Sequence, residues 1–161
     1  MKKKKVLFIA STGGHLNELM QLKSMFDNYD YHIITEKTKS NLPLREKFPK
    51  KINFLVYGTY TTKLKKITYP FKFVYNCFKS LFLYIKIRPR YIVTTGTHTA
   101  VPMCYLGKIF GTKIIFIETF ANSKTKTKSG KLVYPIADLF IVQWKEMLEL
   151  YPKAVYGGWI Y

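Results

Sequence analysis

The stretch VLFIASTGGHLNELM, residues 6–20, changes its periodicity halfway along. Val6 to Ala10 is an unbroken apolar run of strand length, whereas Leu16, Leu19 and Met20, continued by Phe26, share one face of a helix. A strand buried on both faces reads as continuous apolar residues. One that passes straight into an amphipathic helix opens a parallel βα unit. Between the two stand Ser11, Thr12, Gly13, Gly14 and His15. Glycines let backbone approach a ligand closely, and the first amides of a helix attract an anion. The turn is therefore either a tight structural bend or part of a phosphate site. It is neither the dinucleotide G-x-G-x-x-G nor a lysine-bearing P-loop.

The same grammar recurs along the chain. YHIIT (31–35), INFLVY (52–57), YIVTT (91–95), KIIFIE (113–118) and LFIVQ (139–143) are short apolar runs rich in β-branched residues. Helical patterns run from about Ala100 to Phe110, stopping at Gly111, and from Trp144 to Leu150, closed by Pro152. The expectation is a single α/β domain over 1–161, a Rossmann-like and mostly parallel sheet with flanking helices. NSKTKTKSGK (122–131) reads as a polar basic loop and not a boundary. The opening MKKKK imitates a signal peptide, but the apolar run behind it is too short for one.

Open parallel sheets bind ligands at the carboxyl ends of their strands. A second loop there, Gly96-Thr97-His98-Thr99, again brings glycine, hydroxyls and a histidine to a helix start. His98 either caps locally or joins His15's loop in one anion site. Glu118, just past a buried strand, is either a structural hydrogen-bond partner or a site residue. His32 lies within a strand and reads as structural. For moving a group onto a hydroxyl, a base that titrates near neutrality is wanted, and His15 is the candidate.

The formal net charge is +18, with no acidic residue from Lys47 to Ile117, and Tyr (13) and Phe (12) are abundant. Such a chain suits a polyanionic partner, nucleic acid or an anionic membrane. Cys77 and Cys104 form no CxxC, and there is no D-x-D motif, so neither metal nor cofactor is expected. The segment TYPFKFVYNCFKSLFLYIKIRPR (68–90) is apolar over far more than one helix face. Lys65, Lys72, Lys79 and Lys86 recur every seventh residue. Seven residues turn by about 700°, within roughly 20° of two full turns, so these lysines form one stripe. Pro70 suits the helix start and Pro89 its stop. Such a helix is either sandwiched between the sheet and a neighbour or laid in a membrane interface. The second is preferred: Phe78 and Phe82 enter the acyl boundary while the lysines snorkel to headgroups. The chain's last residues, Trp159, Ile160 and Tyr161, either fold back behind a last strand at AVYGG or dock on a partner chain.

STGGHLNELM, TTGTHTAVP and the long IETFANSKTKTKSGKLVYPIADLFIVQWKEMLELYPKAVYGG together resemble a known family. The chain is similar to the acceptor-side subunit of split GT-B glycosyltransferases. These include the eukaryotic membrane-anchored subunit of the dolichol-linked N-acetylglucosaminyltransferase and bacterial polysaccharide-biosynthesis proteins of the PssD and CpsF kind. The same plan resembles the N-terminal lobe of MurG. The resemblance implies the N-terminal lobe of a GT-B enzyme, with acceptor phosphate held by Ser11, Thr12, Gly13, Gly14, Gly96, Thr97, His98, Thr99 and Glu118. It implies a separate partner lobe that binds the UDP-sugar, and an undecaprenyl-diphosphate-linked sugar as acceptor in capsular or exopolysaccharide assembly. The reaction would be inverting and metal-independent, inactive in this chain alone, at the cytoplasmic face of the cell membrane. The eukaryotic relatives carry an N-terminal membrane helix; here 68–90 stands in for it. The rival expectations are a basic nucleic-acid-binding module and a stand-alone Rossmann-type enzyme. The lysines line an apolar helix and no groove of exposed aromatics, so nucleic acid is not the expected partner.

Overall fold

The computed structural model describes residues 3–58 and 63–160, without the side chains of 63–66; the Lys65 side chain and Tyr161 lie outside the described residues. All six apolar runs are strands: β1 (Lys5–Ala10), β2 (Asp30–Lys37), β3 (Ile52–Val56), β4 (Tyr91–Gly96), β5 (Lys113–Ile117) and β6 (Leu139–Val142). Val155–Tyr156 adds β7 at the edge, beside β6. The seven strands form one sheet in the order β3-β2-β1-β4-β5-β6-β7, parallel throughout. The chain thus leaves β1 toward β2 on one side and returns to β4 on the other. That reversal of strand order is where parallel sheets open a crevice, and it sets the turns after β1 and β4 side by side.

Alternation along the strands divides the core. Leu7, Ile9, Ile34 and Ile92 pack under α3 (Lys63–Ile87), α4 (Val101–Ile109) and α5 (Lys128–Val133). Val6, Phe8 and Ile33 face Leu19 of α1 (Gly14–Gln21) and Phe26 of the 3-10 turn that follows it. Among the described residues, this second face carries no helix over β5 and β6. An apolar groove of about 470 Å³ lies there, lined by Val93, Ile115, Leu139 and Ile141 and by Ile160 of the tail. Ile160 folds back on the sheet, its amide donating to Gln143 Oε1 at 3.2 Å, whereas Trp159 stays 71% exposed.

Four local readings change. Pro70 lies inside α3 and not at its start, because the helix is held by packing farther along, through Asn76, Ser80, Leu83, Tyr84 and Ile87. The loop 122–131 hides the start of α5, whose composition is polar but whose first turn is capped by Thr127 Oγ1, accepting from Gly130 N at 2.9 Å. The last helix shrinks to α6 (Met147–Leu150), since Trp144 is turned aside to donate its indole N–H to Phe120 O at 2.8 Å. A short α2 (Leu44–Lys47) had no periodicity to announce it.

α3 is not sandwiched. Phe71 (75%), Phe78 (69%) and Phe82 (65%) are exposed on one face. The lysine stripe runs between that face and the buried one. Among the described residues no helix is long and apolar enough to cross a membrane.

Candidate functional site

The turns after β1 and β4 are sewn together. Ser11 N donates to Gly96 O at 3.1 Å, and Thr97 N donates to Ser11 Oγ at 3.0 Å. The Ser11 and Thr97 hydroxyls also bond to each other. Gly13 holds φ 89°, ψ −142° as the chain swings into α1, a conformation that only glycine adopts without strain. Among the described residues no side chain caps α1, which suits its first amides to another acceptor.

His15, in the first turn of α1, reaches across to β4. Its Nδ1 lies 2.7 Å from Thr95 O, and the Thr95 hydroxyl donates back to His15 O at 2.6 Å. A carbonyl only accepts, so Nδ1 carries the hydrogen and Nε2 keeps its lone pair. The ring is thereby held in the tautomer that can take a proton at Nε2. Glu18, one turn on, sets its Oε2 3.9 Å from Nδ1, while its Oε1 accepts from Thr119 Oγ1 at 2.7 Å and Phe120 N at 3.1 Å.

The centre of the cleft is a residue the sequence reading passed over. Glu36, buried at the end of β2, accepts from Thr12 N at 3.1 Å and from Thr99 Oγ1 at 2.8 Å. His98 Nε2 stands 3.7 Å from its Oε1. Asn41 completes the tie, donating to Thr12 Oγ1 and to Glu36 O at 3.1 and 3.0 Å. A cleft of about 280 Å³ results, lined by Ser11, Thr12, His15, Glu36, Thr97 and His98 with Tyr57 at its side. Glu36 occupies the place in β2 that Glu118 occupies after β5, a carboxylate at the carboxyl end of a buried run; that rule would have found it.

The two loops differ from expectation in detail. α4 starts at Val101, and the N–H of Val101 donates to His98 O, so Gly96 to Thr99 form a turn ahead of the helix and not its first amides. Glu118 does not line this cleft. Its buried carboxylate accepts from Thr127 Oγ1 at 2.9 and 3.0 Å, from Tyr151 Oη at 2.9 Å and from Thr119 N at 3.2 Å. It is a latch that ties α5 and Tyr151 to the end of β5. Burial holds its carboxyl above the usual range against the pull of those hydrogen bonds. Among the described residues no group of His, Cys, Asp and Glu is arranged to hold a metal ion.

The family described as "Oligosaccharide biosynthesis protein Alg14 like" matches residues 6–160. The "UDP-N-acetylglucosamine transferase subunit ALG14" of Candida albicans is 30% identical over 98% of this chain and 81% of its own length. The mouse protein of that name is 26% identical over 96% and 82%. Among solved structures, MurG of Acinetobacter baumannii superposes with a TM-score of 0.70 at 15% identity, covering 89% of this chain and 42% of MurG. At that identity the likeness is one of fold. It supports a Rossmann-like lobe of the GT-B kind, and this chain spans about four tenths of the enzyme it superposes on.

Proposed function

The chain belongs to the family of Alg14-like oligosaccharide biosynthesis proteins, and we propose on that footing that it is the acceptor-side subunit of a two-chain, inverting, metal-independent glycosyltransferase. A separate chain binds the UDP-sugar; the relatives' shared name, a UDP-N-acetylglucosamine transferase subunit, supports that division. The acceptor is a lipid-diphosphate-linked saccharide, in its specific form an undecaprenyl diphosphate used in capsular or exopolysaccharide assembly. The protein works at the cytoplasmic face of the cell membrane as a peripheral subunit.

The observation that carries the reading is the joint of the two loops around His15. Uncapped α1 amides beside Gly13 and Gly14 suit a phosphate. His15 Nε2, left with its lone pair because Nδ1 is committed to Thr95 O, suits the acceptor hydroxyl. As that oxygen bonds to the sugar C1, the C1–O bond to UDP breaks, and the hydroxyl proton passes to Nε2. Thr95 O holds the imidazole in the tautomer that accepts it. Glu36 fixes Thr12 and Thr99, and so the shape of the cleft floor.

The exposed stripe of α3, Phe71, Phe78 and Phe82 with Lys72, Lys79 and Lys86 beside it, supports docking on an anionic membrane. Trp159 and the bare sheet groove beside Ile160 support docking of the donor-binding chain. The test is reconstitution with the partner and a lipid-linked acceptor. This chain alone should transfer no sugar, and in the pair His15→Ala should lower turnover by about 10² or more. Turnover by the single chain, or a near-normal rate for His15→Ala, overturns the reading.

A further inference from the structure

The heptad lysines are not equivalent in the folded chain. Lys79 emerges from α3 beside β3, the edge strand of the sheet. Asn76, on the same flank, clamps that edge: its Oδ1 accepts from Val56 N at 2.9 Å and its Nδ2 donates to Val56 O at 2.8 Å. The clamp draws the middle of α3 against β3 and opens a groove of about 460 Å³ beside it. Lys79 reaches this groove from the helix, Lys37 from the end of β2 and Arg45 from α2; Lys72 and Lys86 do not line it. Successive stripe lysines are about 10.5 Å apart along the axis, at 1.5 Å per residue, too far to share one small anion. Lys79 therefore shares its groove with Lys37 and Arg45, which come from elsewhere in the chain.

Among the described residues no carboxylate lines the groove. Among the described residues the ion pairs to carboxylates are made by other groups: Lys51 with Asp30, Lys108 and Lys113 with Asp138, and the two cleft histidines. Two of the three groove cations are positioned over aromatic rings, Arg45 on Phe54 at 5.5 Å and Lys79 on Tyr75 at 5.7 Å. Such contacts steer long side chains without neutralising them. Three cations lining one groove without a carboxylate among its described residues suit an anion with several acceptor oxygens, and arginine with lysine is the pair suited to phosphate. The source of that phosphate follows from the neighbouring surface. Tyr75, Phe78 and Phe82, exposed on α3 next to the lysine flank, form an apolar strip beside the groove. A phosphate tethered to acyl chains satisfies both at once.

We propose that Lys37, Arg45 and Lys79 form a binding site for the headgroup phosphate of an anionic phospholipid, distinct from the acceptor cleft around His15. The site rests on the membrane-docking reading of α3 and refines it. Diffuse attraction treats every surface lysine alike, at about fivefold in partitioning for each charge, whereas a site demands these three and makes them interdependent.

The experiment measures sedimentation of the full chain with vesicles of phosphatidylcholine alone or with phosphatidylglycerol, and titration with soluble dihexanoyl phosphatidylglycerol and with inorganic phosphate. Circular dichroism confirms that each variant is folded. Lys37→Gln, Arg45→Gln and Lys79→Gln should each lower affinity for phosphatidylglycerol vesicles more than tenfold, Lys72→Gln and Lys86→Gln about fivefold. The Lys37→Gln/Lys79→Gln double variant should lose little beyond either single one, because both contact one phosphate. Equal losses at Lys72, Lys79 and Lys86 with additive doubles would overturn the site. So would displacement from vesicles by millimolar inorganic phosphate, which would make the ligand a free anion. If wild-type chain ignores vesicles yet binds the soluble lipid with the same three-residue dependence, the groove stands and membrane docking by α3 falls.

Discussion

Gly130→Ala places one methyl group where α5 meets the Glu118 latch. A Cβ built on Gly130 collides with Glu118 Oε2 and Tyr151 Oη and comes within 2.8 Å of Thr127 Oγ1. Those atoms are one network: Tyr151 Oη and Thr127 Oγ1 both donate to the carboxylate, and Thr127 Oγ1 accepts the Gly130 N–H. Alanine in an ordinary helix position would gain about 1 kcal/mol over glycine. Here the methyl fits only if the carboxylate withdraws. Overpacking costs about 1–3 kcal/mol, and a lost hydrogen bond to a charged group about 1.5–3 kcal/mol. The net loss should be about 3 kcal/mol. At about 2–4 °C per kcal/mol for a domain of this size, Tm should fall by roughly 10 °C. Urea unfolding followed by circular dichroism, on Gly130→Ala, Glu118→Ala and the double variant, measures both the loss and its origin. Removing the Glu118 carboxylate first should spare part of the penalty, a coupling of about 1 kcal/mol or more. A loss below about 1 kcal/mol, or strict additivity, refutes the steric account.

Glu118 also fixes a pH dependence. Its folded pKa is raised by burial, so the folded chain binds a proton that the unfolded chain has released. The associated stability is fully present below the ordinary carboxylate value of 4.5 and is lost as pH climbs through the raised folded value. Urea midpoints of Glu118→Gln should be flatter than wild type across that window, and parallel profiles would contradict the assignment. Burial pushes the Cys104 thiol up to about 12; Ellman's reagent should therefore modify Cys77 in the native protein and reach Cys104 only on unfolding, and equal native rates would contradict its burial. Trp159→Ala should weaken partner binding by about 2 kcal/mol or more while leaving the urea midpoint of the isolated chain unchanged; an intact complex moves the interface away from the tail.

How much of this could be read from the chain alone depends on the range of the physics. Six strands, the α/β class and the two loops around His15 and His98 were legible, because a buried parallel strand and the turn behind it are written in consecutive residues. The lysine repeat in α3 was legible for the same reason, since helical spacing converts directly into a stripe. Pro70 and Thr127 were misread where local rules met tertiary ones: packing carried α3 across a proline, and a cap made a helix from polar residues.

The site was only half legible. Ser11, Thr12 and His15 could be nominated from the first turn, but Glu36 became part of the cleft only because β2 pairs with β1 and β1 with β4. No local pattern records strand order, which emerges from which faces the whole sheet can bury at once. The same global packing turned Glu118 inward, where Thr127 and Tyr151 claim its oxygens, and set Lys79 on one groove with Lys37 and Arg45. Sequence by itself determined which residues bear charge, hydroxyl or imidazole and which segments bury themselves. The tertiary structure alone decided which of them meet, because distance in space is set by a sheet order that separates neighbours in sequence and joins residues dozens of positions apart.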